Sequence, residues 1–111
     1  GSPANARRRW IAGRLKPAGR LQVDAGAVDA LRGGASLLPA GVRGVSGEFD
    51  RGDAVEIIGP DRKVVAIGLA AYSAADVRAI AGKRSEDVAN ILGYARRPAV
   101  VEKSDLALKA E

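Results

Sequence analysis

The sequence predicts a mainly β fold, about six short strands with two or three short helices in a mixed α+β sheet, and three observations point there. Two β-branched runs, Val55-Glu56-Ile57-Ile58 and Val64-Val65-Ala66-Ile67, flank Gly59-Pro60-Asp61-Arg62-Lys63, where Pro fixes φ and Asp can bond its own backbone, so a hairpin is expected. Apolar residues at helical spacing occur only in short windows closed by Gly, which keeps the helices short. From Arg20 onward, turn residues punctuate the chain so closely that no long element fits between them.

In chain order, Leu21-Gln22-Val23 alternates as a half-buried strand, and Asp24 is an N-cap for a helix over 25–32 with Val28 and Leu31 on one face. Gly33-Gly34 stops that helix by supplying positive φ. Ser36-Leu37-Leu38-Pro39-Ala40-Gly41 reads as a short buried strand entering a turn. A second extended stretch runs from Val42 to Phe49, and Asp50-Arg51-Gly52-Asp53 has the composition of a tight turn. The hairpin follows, its second strand continuing to Tyr72, with Gly68 expected as a bulge that bends it around a small barrel. Ser73 caps a helix in a Ser-x-x-Asp box with Asp76, with Val77, Ile80 and Ala81 inward and Gly82 at its end. Ser85 is expected to cap a further helix lined by Val88, Ile91 and Leu92 and ended by Gly93, and Ala99-Val100-Val101 is the last strand expected. Phe49 and Tyr72 are expected in the core.

Composition then narrows the function. The 111 residues hold no His and no Cys, which removes thiol nucleophiles, imidazole bases, disulfides and zinc sites of the usual kind. The 47% of apolar residues suffices for one core. The run without charge from Val64 to Ala75 is shorter than the roughly 20 residues that cross a bilayer, and nothing near the N-terminus has the pattern of a signal peptide. A cytoplasmic protein with no membrane partner is expected. Net charge is +5, but residues 1–20 carry six cations and no acid, leaving 12 cations against 13 acids in the remainder. A basic segment beside a neutral body is a nucleic-acid arm or a linker between domains. We expect residues 1–19 to be a tag remnant (Gly1-Ser2) and basic linker, 20–108 the domain, and 109–111 a C-terminal tail.

Motifs that carry chemistry give little. Gly41, Gly44 and Gly47 run through a strand-like stretch with no helix N-terminus to receive a phosphate, and Gly82-Lys83-Arg84-Ser85 lacks the upstream glycine of a nucleotide loop. Glu48, Asp50 and Asp53 lack the oxygen series of a calcium loop and make sense as a turn. No serine has a base in reach of its sequence context, so no catalytic residue, cofactor or metal ligand is assigned to this chain. The one positive signal is basic: Arg32 at a helix end, Arg43, and Arg62-Lys63 on a hairpin tip can converge on a phosphate, or be scattered solvated charges. With aromatic residues at 4%, a base-stacking platform is not indicated.

Three of these segments resemble the consecutive motifs of PUA domains, small pseudo-barrels first recognised in RNA-modifying enzymes: Val23-Asp24-Ala25-Gly26-Ala27, the stretch from Gly34 to Val42, and Gly47-Glu48-Phe49-Asp50-Arg51-Gly52-Asp53. More narrowly, Arg9-Trp10-Ile11-Ala12-Gly13, Tyr72-Ser73-Ala74-Ala75-Asp76, Ile80-Ala81-Gly82 and Ile91-Leu92-Gly93-Tyr94 resemble the C-terminal domain of the bacterial glutamate 5-kinase (gamma-glutamyl kinase) family, over Arg8 to Leu108. Glu102-Lys103-Ser104-Asp105 departs from the His-Arg-Asp-Asp common in that family, so a ligand or metal role carried by that His does not transfer. The resemblance implies a PUA-like pseudo-barrel and a homo-oligomeric parent enzyme that phosphorylates the glutamate γ-carboxylate with ATP and Mg²⁺ in the first step of proline biosynthesis. It implies too that catalysis lies in an upstream amino-acid-kinase domain. Two roles follow from it. One is a noncatalytic regulatory and structural module that contacts the kinase domain. The other is recognition of structured RNA at the helix-to-strand loop, with Arg32, Gly33, Gly34, Leu37, Arg43, Arg62 and Lys63 as contact residues and the backbone N–H groups of Gly33-Gly34 as phosphate donors.

Overall fold

The computed structural model describes residues 16–94 and 98–109. Five strands form one mixed sheet: β1 (Gly19–Val23), β2 (Val42–Gly47), β3 (Ala54–Ile58), β4 (Val64–Leu69) and β5 (Leu106–Leu108), in the order β2-β1-β3-β4-β5. β1 runs antiparallel to β2 and parallel to β3, and the other neighbours are antiparallel. Between the strands lie α1 (Ala25–Arg32), α2 (Ala74–Ile80) and α3 (Val88–Leu92). The linker and tail expected at the ends fall mostly outside the described residues.

The pattern that predicts β1 is the pattern it buries, with Leu21 and Val23 inward and Arg20 and Gln22 outward. β3 and β4 are buried on both faces for most of their length, as central strands of β-branched runs should be. The core joins Leu21, Leu31, Val55, Ile57, Ala66, Tyr72, Val77, Ile80 and Val100, with Phe49 also buried. Full burial of a large aliphatic side chain contributes about 1.5–3 kcal/mol. Asp50-Arg51-Gly52-Asp53 is the expected turn: Asp50 N–H donates to Asp53 Oδ2 at 2.9 Å, and Gly52 holds φ +90°.

Five expectations are corrected. Leu37-Leu38 is not a strand: Leu37 makes one isolated bridge to Val101, after which Pro39 opens a 3₁₀ turn over Pro39–Gly41. Nor is Ala99-Val100-Val101 a sheet strand. That buried segment is strung between Leu37 and Ala71 by backbone bonds, Val100 N–H to Leu37 O at 2.7 Å and Ala71 N–H to Val100 O at 2.8 Å. The sheet's last strand is β5, which pairs Leu106 with Gly68. Gly68 is therefore no bulge. A Cβ there would lie 2.5 Å from Val101 Cγ1 and 3.1 Å from Asp105 O, so glycine is needed for close approach of the chain that crosses it. Ser85 caps nothing: its hydroxyl donates to Pro98 O at 3.3 Å, while α3 begins after a 3₁₀ turn, and Ile91 on α3 is exposed rather than inward.

Candidate binding cleft

Helix α1 is set at both ends by its own sequence. Asp24 accepts from Ala27 N–H at 2.8 Å through Oδ1, satisfying an otherwise orphan donor. At the other end Gly33 N–H bonds Asp29 O, Gly34 N–H bonds Leu31 O and Ala35 N–H bonds Ala30 O, with Gly34 at φ +95°. The N–H groups of Gly33 and Gly34 are thus engaged in closing the helix and are not available to a phosphate, which corrects that expectation. Arg32, in the last turn of α1, is exposed and stands where the helix dipole favours a cation.

Opposite α1 lies the β3–β4 turn. Gly59 N–H reaches Lys63 O at 3.1 Å, Arg62 N–H reaches Gly59 O at 2.9 Å, and Lys63 N–H donates to Asp61 Oδ1 at 3.0 Å, so Asp61 holds the turn as its composition suggests. Between the turn and α1 runs a cleft of about 910 Å³. Its floor is aliphatic, from Val28, Val64 and Val65, and its rim carries Arg32, Lys63 and Lys109 together with Asp29 and Asp61. Lys109 is fastened by its backbone, whose N–H donates to Val65 O at 2.8 Å.

The seven residues expected to contact RNA do not share one surface. Arg32 and Lys63 meet at the cleft. Arg62, with φ +66°, is exposed on the turn beside it but does not line it. Arg43 is at the other end of α1, about 12 Å away at 1.5 Å per residue, and its Nη2 is paired with Asp24 Oδ2 at 3.0 Å. Gly34 borders a separate recess of about 140 Å³ with Leu31, Lys103 and Leu108. Leu37 is 1% exposed and its side chain belongs to the core. Sequence reasoning missed Lys109, Asp29 and Asp61 as neighbours of the site; only the fold brings a lysine near the chain end against a turn at 60–63.

A second polar cluster joins α2 to the residues after α3. The Tyr94 hydroxyl donates to Asp76, its ring lies 6.3 Å from that of Tyr72, and Arg78 of α2 donates to Gly47 O at 2.9 Å. The hydrogen bond to Asp76 is the largest cause that raises the Tyr94 pKa above its ordinary value, with burial and the Asp76 charge adding to it. Among the described residues no group of three or more acids is placed to hold a metal ion, and no helix is long and apolar enough to cross a membrane.

Residues 19–92 match the model of the PUA domain. The chain belongs to the PUA domain family. This PUA domain is 55% identical over all 111 residues to glutamate 5-kinase of Rhizobium etli, of which it spans 28%. A PUA domain of Aeropyrum pernix, solved as a tartrate complex, is 32% identical with a TM-score of 0.57, over 77% of this chain and 41% of that one. An H/ACA ribonucleoprotein bound to a substrate RNA contains the same fold, with a TM-score of 0.57 at 17% identity over 83% of this chain and 24% of that one.

Proposed function

We propose that this PUA domain is the noncatalytic module of a cytoplasmic glutamate 5-kinase, and that it acts on a neighbouring amino-acid-kinase domain rather than on a substrate of its own. The observation that carries this is the 55% identity to the Rhizobium enzyme across 100% of the chain, although the chain spans only 28% of that enzyme. On this reading the ATP and Mg²⁺ that transfer phosphate to the glutamate γ-carboxylate are held by the remainder of a homo-oligomeric kinase. The residues described here do not fit either group: they provide no acidic ligand set and no glycine-rich phosphate loop. No step of phosphoryl transfer is assigned to them.

The test is exchange. In the Rhizobium etli enzyme, the matching stretch is replaced by this domain, or deleted. The exchanged enzyme should keep the parent's glutamate phosphorylation, its dependence on glutamate concentration and its oligomeric state; the deleted enzyme should keep phosphorylation but depart from the parent in at least one of the other two. An exchanged enzyme that behaves like the deleted one overturns the proposal.

RNA recognition is the second reading, favoured by the meeting of Arg32 and Lys63 with Lys109 at one cleft. Against it stand the acids on the same rim, the engaged N–H groups of Gly33 and Gly34, and the burial of Leu37. Binding of a structured RNA that survives removal of residues 1–15 and falls on Arg32→Ala would establish it.

A further inference from the structure

We propose that the open edge of β5 is an interface between two copies of this chain, which pair Leu106-Ala107-Leu108 antiparallel about a two-fold axis at Ala107. The proposal concerns this chain alone, and its failure leaves the kinase reading untouched.

The two edges of the sheet are protected differently. β2 has α2 packed against it, and Arg78 of that helix donates to Gly47 O at 2.9 Å. β5 lies at the other edge with no strand beyond it. Its ladder with β4 determines which of its groups are left over. Lys109 N–H donates to Val65 O, and Leu106, Ala107 and Leu108 stand opposite Gly68, Ile67 and Ala66. Alternate residues of an antiparallel ladder bond across the pair, so Ala107 and Lys109 face β4 while Leu106 and Leu108 turn their N–H and C=O groups to the open side. No hydrogen bond among the described residues uses those groups. Such an edge accepts another strand, and no proline, bulge or charge within Leu106–Leu108 opposes one.

The residues along this edge complement themselves, which selects a second copy as the occupant. With the axis at Ala107, Leu106 of one chain stands opposite Leu108 of the other, and every outward N–H and C=O group of both strands finds a partner. A register displaced by two residues leaves half of those groups with no strand residue opposite them. Opposed residues share a face of the sheet, so each Leu108, 44% exposed in the single chain, comes to lie beside the second copy's Leu106. There the recess of about 140 Å³ against Leu31, Gly34 and Ala35 has room for an aliphatic side chain. The same register sets Lys109 opposite Asp105 of the second copy, once at each end of the pair. Asp105 is engaged within its own chain, but a carboxylate has several acceptor sites and can take a further cation. This exposed contact fixes register more than strength.

Three residues from each chain bury far less than the roughly 1,200–2,000 Å² of a stable complex, so the dissociation constant should be weak, about 0.1–1 mM. In an oligomer whose copies are already held together elsewhere, pairing becomes intramolecular, and an effective concentration on the order of 1 mM suffices to form it.

The experiment is sedimentation of the 111-residue chain from about 10 μM to about 1 mM, with NMR on a mixture of isotope-labelled and unlabelled chains. Monomer should give way to dimer, with concentration-dependent shifts of the Leu106 and Leu108 amides. A contact between Ala107 of one chain and Ala107 of the other should appear, their α-carbons being about 4.5 Å apart in this register. Leu108→Lys carries an ammonium into the apolar recess of the second copy and should weaken the dimer at least about tenfold. Lys109→Glu should weaken it by about two- to fivefold, the worth of an exposed pair, and less so at high salt. Both positions are exposed, and an unchanged circular dichroism spectrum checks that each variant is folded. Three outcomes overturn the proposal: a chain that stays monomeric throughout, a dimer without the Ala107 contact, or a dimer that Leu108→Lys leaves at full strength.

Discussion

Asp24 divides its carboxylate between two tasks. Oδ1 closes the first turn of α1 and Oδ2 holds Arg43, which is how a residue expected to face a ligand comes to be tied to the helix start instead. Asp24→Ala should destabilise the domain by about 1–2 kcal/mol, mostly the lost cap, and Asp24→Asn by less, since the amide oxygen still accepts from Ala27. Urea midpoints of the two variants test the ordering; equal losses would mean that the ion pair and not the cap is what counts. The pairing with Arg43 is itself exposed and should add less than about 1 kcal/mol.

Tyr94 gives a pH prediction of definite sign. Its folded pKa is raised above the unfolded value, so the contribution of its protonated form is complete below about pH 10 and is lost only as pH rises through the folded pKa. The link between Tyr94 and Asp76 should therefore be insensitive to pH between 6 and 9, taking those as about neutral conditions. Phenolate absorbance of the native chain minus that of Tyr94→Phe should show a midpoint above 10. A midpoint below it would contradict the hydrogen bond to Asp76.

At the scale of elements, Gly68 is a position where two segments come close together. Gly68→Ala places a methyl against Val101, which can shift, and against the carbonyl of Asp105, which cannot do so without moving β5. A loss of about 1–3 kcal/mol is expected, read by thermal unfolding, with exchange of the Leu106–Leu108 amides speeding up. A neutral substitution would mean that β5 is loosely attached.

Local signals were the legible ones. Asp24 and Ser73 cap the helices they precede because cap, first turn and apolar face lie within a few residues. Ser85 carries the same local signal and does something else, because the Pro98 carbonyl, 13 residues on, competes for its hydroxyl. β5 went unread for the complementary reason: Leu106-Ala107-Leu108 has too few residues to show a period, and pairing with β4 makes it a strand. The candidate site was half legible. Arg32 and Lys63 stand beside helix-end and turn signals, whereas Lys109 has no local mark, and the burial of Leu37 depends on Val101 far along the chain.

For the whole molecule, the charge division along the chain makes a prediction independent of any pocket. Removing residues 1–15 takes away four arginines and no acid, leaving 14 cations against 13 acids. Retention on heparin and nonspecific RNA binding at low salt should then largely vanish, and the salt slope should fall with them. Binding that survives in the shortened chain would have to come from the folded body, and Arg32→Ala together with Lys63→Ala would find it.

The parallel pairing of β1 with β3 in the middle of the sheet sets the tempo of folding. Its partners, such as Gly19 and Val55, are 36 residues apart, and β5 pairs across 42 residues, Ala66 with Leu108; only the β3–β4 hairpin closes a short loop. On a ribosome β1 therefore emerges before its partners, can gain β2 on one edge, and keeps the other edge bare until β3 has left the exit tunnel, and the sheet cannot be finished until β5 follows. Acquisition of structure should be slow for a chain of this size, with the hairpin as the nucleus. The alternation of Arg20 and Gln22 with Leu21 and Val23 keeps the waiting strand soluble in the interval.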